Sequence, residues 1–155
     1  FNLTTLTKES WYIKAGSGMG ETLKKADYFS AYTLADMGTY LKYQKDGLVS
    51  SKVLVEQGKD LLNVYSAIDV NQTLHPRVNF NGAITFMKFL TSDEGQQIIE
   101  QYGKDEYEQS LFYPAVRLLK ENTDPTIAQW IREYAFFNGT ECPPEYRKDY
   151  PELYG

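Results

Sequence analysis

A strand-like run that ends in three closely spaced glycines and passes straight into a helix leaves few choices of local fold. Trp11 to Lys14 is apolar and aromatic; Gly16, Gly18 and Gly20 follow; Glu21 to Tyr28 is helix-compatible. Glycine lets the backbone take positive φ and approach a ligand closely. The first N–H groups of a helix have no partner within it, and the helix dipole makes that end electropositive. Together they form a small anion site that needs no cationic side chain. The spacing is neither the dinucleotide fingerprint nor the P-loop, and no Gly-Lys-Ser/Thr is present. The same residues also suit a plain strand-to-helix turn, and the motif alone leaves both readings open.

The rest of the sequence alternates in the same way. Strands are expected at Trp11–Lys14, Ala31–Leu34, Val53–Val55, Tyr65–Val70 and, as a short extended run, Leu111–Tyr113. Helices are expected between them. Gly20 to Tyr28 turns Leu23 and Ala26 inward. Asp36 caps a helix to about Gln44, with Met37, Tyr40 and Leu41 on one face. Phe80, Ala83, Ile84, Met87 and Leu90 recur at three- and four-residue steps, which predicts a helix over Val78–Leu90. Ser92 caps the next, Asp93 to Tyr102, which Gly103 ends; Asp93 and Glu94 complement its dipole. Asp124-Pro125 opens a last helix to about Phe137, with Ile127, Trp130, Ile131, Tyr134 and Ala135 as its apolar face. Pro143-Pro144 stops regular structure, and the acidic, Tyr-rich end is expected to pack loosely. The class is therefore α/β, in which ligands sit at strand ends and helix N-termini.

Composition narrows the function. At 155 residues, 42% hydrophobic and 24% charged, the protein has enough apolar side chains for one core. A net charge of −5 argues against nucleic-acid binding. It does not exclude an anion, because a dry cleft of N–H dipoles acts locally while net charge is screened within about 10 Å. One His and one Cys exclude a zinc cluster, and no nucleophile-elbow motif accompanies His75. His75 reads as a loop residue and Cys142 as a free thiol or the partner of a cysteine elsewhere. Asp93-Glu94 and Asp105-Glu106 are explained by helix starts and solvated turns. No enzyme, metal or cofactor is expected. Sequons at Asn2, Asn71 and Asn138 suggest an extracellular surface. The 13 tyrosines, scattered from end to end, suit either packing at wet surfaces or an aromatic groove for glycan or peptide. Beginning at Phe1 with no signal segment, the chain reads as a processed or truncated product.

Several blocks in order resemble one family. They are Trp11-Tyr12, Gly16-Ser-Gly-Met-Gly-Glu-Thr-Leu23, Ala31-Tyr-Thr-Leu-Ala-Asp36 with Thr39-Tyr-Leu41, and Leu54-Val-Glu56. Asn63-Val-Tyr65, His75-Pro76, Asn79-Phe-Asn-Gly-Ala83, Phe89-Leu-Thr-Ser-Asp-Glu-Gly-Gln96 and Leu111-Phe-Tyr-Pro114 follow. The pattern resembles the C-terminal half of the tungstate-binding proteins of ABC-type uptake systems. It implies a type II periplasmic-binding-protein-like three-layer fold, of which this chain holds the C-terminal part. Residues 1–114 would form the later part of the second lobe, a hinge strand at Ala31–Leu34 or Tyr65–Val70, and helices returning to the first lobe. Residues 115–155 would add a helix and a Pro/Tyr-rich tail.

The resemblance carries over Ser17, Gly18, Met19 and Gly20 as ligand-binding residues, through their N–H groups and the Ser17 hydroxyl. The family's Thr/Ser-rich ligand loop and its later arginine are not in this sequence; Thr4, Thr5 and Thr7 are not that loop. Met37 stands where the family often has Arg after Asp, which puts selectivity in doubt. The function implied is an extracellular or periplasmic receptor for tungstate, or molybdate, that feeds a membrane permease and is anchored through a missing N-terminal part. The alternative is an extracellular glycan- or peptide-binding module with a Tyr-rich surface.

Overall fold

A computed structural model describes residues 9–147, 150 and 153. The readings placed on Asn2, Thr4, Thr5 and Thr7 lie outside the described residues. The chain divides into two units, Phe1–Leu54 and Val55–Gly155.

In the first unit, helix α1 spans Met19–Tyr28 and α2 spans Met37–Lys45. Leu23 and Ala26 are buried, as their spacing predicts; burying a leucine stabilises by about 1.5–3 kcal/mol. Asp36 caps α2 as expected. One carboxylate oxygen accepts from Thr39 N at 2.7 Å and the other from Thr39 Oγ1 at 2.8 Å. After α2 the backbone reverses at Gly47, whose φ of +66° suits glycine. It then returns to the end of α1. There the Asp27 carboxylate accepts from Ser50 N at 2.9 Å and Ser51 N at 2.6 Å. The Ser50 N–H foremost holds the Asp27 carboxyl below its ordinary range, with the Ser51 donors adding to it. A carboxylate near a helix C-terminus opposes the dipole; these two N–H groups offset that.

In the second unit α3 spans Phe80–Thr91, α4 Asp93–Gln101, α5 Lys104–Tyr107, α6 Ala115–Glu121 and α7 Pro125–Ala135, with single 3-10 turns at Lys59–Leu61 and Pro144–Tyr146. Phe80, Ile84 and Leu153 form its buried cluster, with Val78, Met87 and Tyr150 against it. The tail expected to pack loosely thus contributes a core residue: Leu153 is 6% exposed, and Lys88 lies over the Tyr150 ring. On α7 the buried residues are Ala128 and Ile131, while Tyr134, expected on the apolar face, is exposed. Its hydroxyl instead donates to Asp60 at 3.3 Å, beside the Lys59–Glu133 ion pair.

The block Leu90-Thr-Ser-Asp-Glu-Gly-Gln96 is a helix corner. Ser92 Oγ donates to Phe89 O at 2.7 Å and accepts from Gly95 N at 3.1 Å, so it ends α3 and starts α4. A Cβ on Gly95 would collide with the Phe89 carbonyl. Gln96, 4% exposed, donates to Leu90 O at 2.7 Å and accepts from Arg117 N at 3.1 Å, joining α3, α4 and α6. Satisfying both ends of a buried amide is what makes its burial tolerable. Glu100 pairs with Arg117 alongside.

The expected α/β layering is not formed among the described residues. Among the described residues there is no strand, only an isolated bridge between Phe137 and Thr140. The segments expected as strands do not pair with one another, and several of their side chains are open to solvent: Tyr32 is 91% exposed, Leu34 74% and Ile68 86%. A helix closes its hydrogen bonds within one segment, but a strand exists only by pairing with another. Among the described residues Trp11–Lys14, Ala31–Leu34, Val53–Val55 and Tyr65–Val70 have no such neighbour, so the three-layer sheet does not appear.

Candidate functional site

The glycine turn places α1 with its start open. Gly16 takes φ +59°, and Gly18, at φ −62° and ψ 167°, occupies the capping position without a side chain to fill it. Thr22 N, one turn in, bonds to Gly18 O at 2.9 Å, so the N–H groups of Met19, Gly20 and Glu21 precede the helical ladder. A Cβ at Gly16 or Gly18 would meet nothing within 4 Å. Gly20 differs, because a Cβ there would strike the Tyr43 ring of α2. Its missing side chain serves the packing of α1 on α2.

Ser17 is tied to the helix. Its hydroxyl lies 3.3 Å from Thr22 Oγ1, and Thr22 Oγ1 donates to Ser17 O at 3.2 Å. Lys25 completes the cluster: its ammonium donates to Ala15 O at 2.8 Å and to Ser17 Oγ at 3.3 Å. With an acceptor lone pair of Ser17 Oγ engaged by Lys25, the hydroxyl proton is free to point away from the ammonium. Sequence reasoning missed Lys25. Its signal was a lysine one turn beyond the glycines, and the neighbouring Lys24, which pairs with Glu21, made that signal ambiguous.

The same cluster reaches α2. Met19 Sδ accepts from Asp36 N at 3.2 Å, so the two helix starts lie together. Their electrostatics differ. Asp36 carries its own negative charge into the start of α2, whereas α1 begins with no side-chain cap. Beside α1 a groove of about 60 Å³ is lined by Ile13, Ala15, Lys25, Ala26, Ala31 and Thr33 among others. Residues of two segments expected as strands thus meet residues of α1 around one groove. The structure brings Ser17, Gly18, Met19 and Gly20 together with Lys25 and Asp36. Asn71 and Asn138 belong to the second unit. Among the described residues no group of His, Cys, Asp and Glu could hold a metal, and no helix is long and apolar enough to cross a membrane.

An open helix start with neutral donors and a nearby cation has the chemistry to accept a small anion. The chain is 40% identical over 104 residues to the tungstate-binding protein TupA of Peptoclostridium acidaminophilum, 67% of this chain and 36% of that one. It is 36% identical over 97 residues to the tungstate-binding protein TupA of Campylobacter jejuni, 61% of this chain and 36% of that one. It is 39% identical over 125 residues to a putative ABC transporter anion-binding protein of Haloferax volcanii, 79% of this chain and 35% of that one. The chain is similar in sequence to these three proteins. It spans about a third of the length of the curated relatives it matches. The similarity to tungstate-binding proteins expected from the Gly-Met-Gly, Ala-Tyr-Thr-Leu and Leu-Thr-Ser-Asp-Glu-Gly-Gln blocks is thereby shown. The relatives are named as binding proteins, not as enzymes. No protein-family profile matches the sequence, and no solved structure matches it.

Proposed function

We propose that the chain is part of a non-enzymatic receptor that captures tungstate, or molybdate, outside the cytoplasm and delivers it to the membrane permease of an ABC-type uptake transporter. The observation that carries this reading is the 36–40% identity to tungstate- and anion-binding relatives. Ser17, Gly18, Met19 and Gly20 are the proposed ligand-binding residues of this part. The remainder of the receptor would supply the other lobe, the missing cation and any anchor. Residues 1–114 would belong to the solute-binding fold, and residues 115–155 would be an added helix and tail.

The chemistry favours such an ion. Tungstate at neutral pH is a fully deprotonated dianion that offers acceptors only. The N–H groups at the start of α1 and the Ser17 hydroxyl offer donors. Protonated phosphate would set a hydrogen against a donor. Sulfate has the same charge but is smaller, so cavity size would reject it. Lobe closure would remove water and strengthen each donor.

Titration of a protein extended to the length of its relatives with tungstate, molybdate and sulfate tests the reading. Tight tungstate and weak sulfate binding support it; no heat with any anion overturns it. In that second case the exposed cluster of Tyr65, Tyr102 and Phe112, with ring centroids 5.8 Å apart in each pair with Phe112, becomes the surface for the glycan or peptide alternative.

A further inference from the structure

Two Asn-Gly pairs occur in the sequence, Asn81-Gly82 and Asn138-Gly139, and the fold treats them oppositely. Asn81 lies in the first turn of α3, and the Gly82 N–H is held by the Asn79 capping carboxamide at 3.0 Å. Asn81 O is itself engaged, accepting from Thr85 Oγ1 at 2.9 Å. Helical geometry and this cap keep the Gly82 nitrogen occupied. Asn138 and Gly139 instead form the tip of a two-residue reversal, with φ +49° and +78°. Phe137 N donates to Thr140 O at 2.8 Å and Thr140 N to Phe137 O at 3.1 Å, closing the turn behind them. This is the primed turn for which Asn-Gly is preferred. Both tip residues are exposed, and a Cβ on Gly139 would meet nothing within 4 Å. No hydrogen bond to the Gly139 N–H occurs among the described residues.

We propose that Asn138 is a site of spontaneous deamidation, selected by the fold over Asn81. The deprotonated Gly139 nitrogen attacks the Asn138 carboxamide carbon. A new bond forms between that nitrogen, whose proton has passed to hydroxide, and that carbon; the bond from the carboxamide carbon to Nδ2 breaks, and Nδ2 takes a proton from water and leaves as ammonia, giving a succinimide. Water opens that ring at either carbonyl to an aspartyl or isoaspartyl residue, with no oxidant or reductant. The isoaspartyl product adds a methylene to the backbone, which the closed two-residue turn cannot hold without losing a Phe137–Thr140 bond. The effect reaches further, because Thr140 Oγ1 donates to Cys142 O at 3.1 Å and accepts from Arg147, whose Nε also donates to Cys142 O at 2.8 Å. The turn therefore anchors the run from residue 137 to residue 147. Asn138 also heads a sequon, and a glycan on its amide nitrogen would compete with loss of that nitrogen.

The test is peptide mapping by mass spectrometry of the protein made without N-glycans and held folded at mildly alkaline pH. The Asn138 peptide should lose its amide at least about tenfold faster than the Asn81 peptide, a barrier difference of about 1.4 kcal/mol, with isoaspartate among the products. In concentrated urea the two rates should converge, since both are Asn-Gly. Equal rates in the folded protein, or a ratio that unfolding leaves unchanged, would overturn the proposal.

Discussion

The Lys25 ammonium donates to the carbonyl of Ala15 at 2.8 Å, bridging the body of α1 and the residues that precede its glycines. Together with the Thr22 hydroxyl, which donates to Ser17 O at 3.2 Å, it ties the glycine turn to α1. Lys25→Met keeps the stem and removes the donor. In a protein of the relatives' length it should weaken tungstate binding about tenfold, about 1.4 kcal/mol, while leaving helix content unchanged. An affinity equal to the parent's would show that the turn holds its shape without the lysine.

Gly18 offers a cleaner substitution. Its φ of −62° is open to any residue, and no atom lies within 4 Å of the missing Cβ. Gly18→Val should therefore fold normally, yet fill the space before the first N–H groups of α1. Titration should find oxyanion binding abolished; unchanged affinity would remove these residues from the site.

The helix corner makes a prediction about stability. Gly95→Ala forces a methyl against the Phe89 carbonyl and should cost about 1–3 kcal/mol. Gln96→Leu leaves the Leu90 carbonyl and the Arg117 N–H without these partners; each orphaned group costs about 1–3 kcal/mol. Urea denaturation followed by circular dichroism should show lower midpoints for both.

Acid should destabilise the fold through three carboxylates, Asp27, Glu100 and Glu133, the last held down by its hydrogen bond to Lys59. The Asp27 carboxyl is held down by the Ser50 and Ser51 donors, and Glu100 by its hydrogen bond to Arg117. A carboxyl whose folded pKa lies below its unfolded value binds fewer protons when folded, so stability rises with pH across that range. The contribution is complete above the ordinary carboxylate range, about 4, and is lost as pH falls through the folded values. Asp69, whose carboxyl burial pushes up, runs the other way. Asp27→Asn should flatten the acid limb of a stability profile; an unchanged limb would mean that Asp27 does not carry it.

Side chains of the expected strands stand in solvent: Tyr32, Leu34, Tyr65 and Ile68 are each more than 70% exposed. A surface this apolar binds hydrophobic dyes. The 155-residue protein should bind anilinonaphthalene sulfonate strongly, and one extended to the relatives' length should bind it much less. Equal dye binding by both would mean that the added sequence does not cover these segments.

The local part of this fold was legible because its signals are local. Asp36, Ser92 and Asp124 each accept from an N–H three residues on, as their positions before apolar periodic runs predict. Gly103 follows α4 in the left-handed region at φ +91°. Helices at Lys104–Tyr107 and Ala115–Glu121 escape the sequence, being too short for periodicity to register. The expected strands fail for a different reason. Alternating apolar residues state a tendency to pair, and the partner that realises it is not written in the same segment. Long-range contacts are equally silent: nothing near Gly20 announces Tyr43, and nothing near Phe80 announces Leu153. At the site, the glycines are read from spacing, while Lys25 emerges only once the helix has turned it back onto Ala15.

Calorimetric titration with tungstate and sulfate in parallel, on a protein extended to the length of its relatives, tests the central claim most directly. The account predicts tight tungstate binding, weak sulfate binding, and loss of the tungstate heat in Gly18→Val. Sulfate bound as tightly as tungstate, or tungstate bound equally well by Gly18→Val, would contradict it.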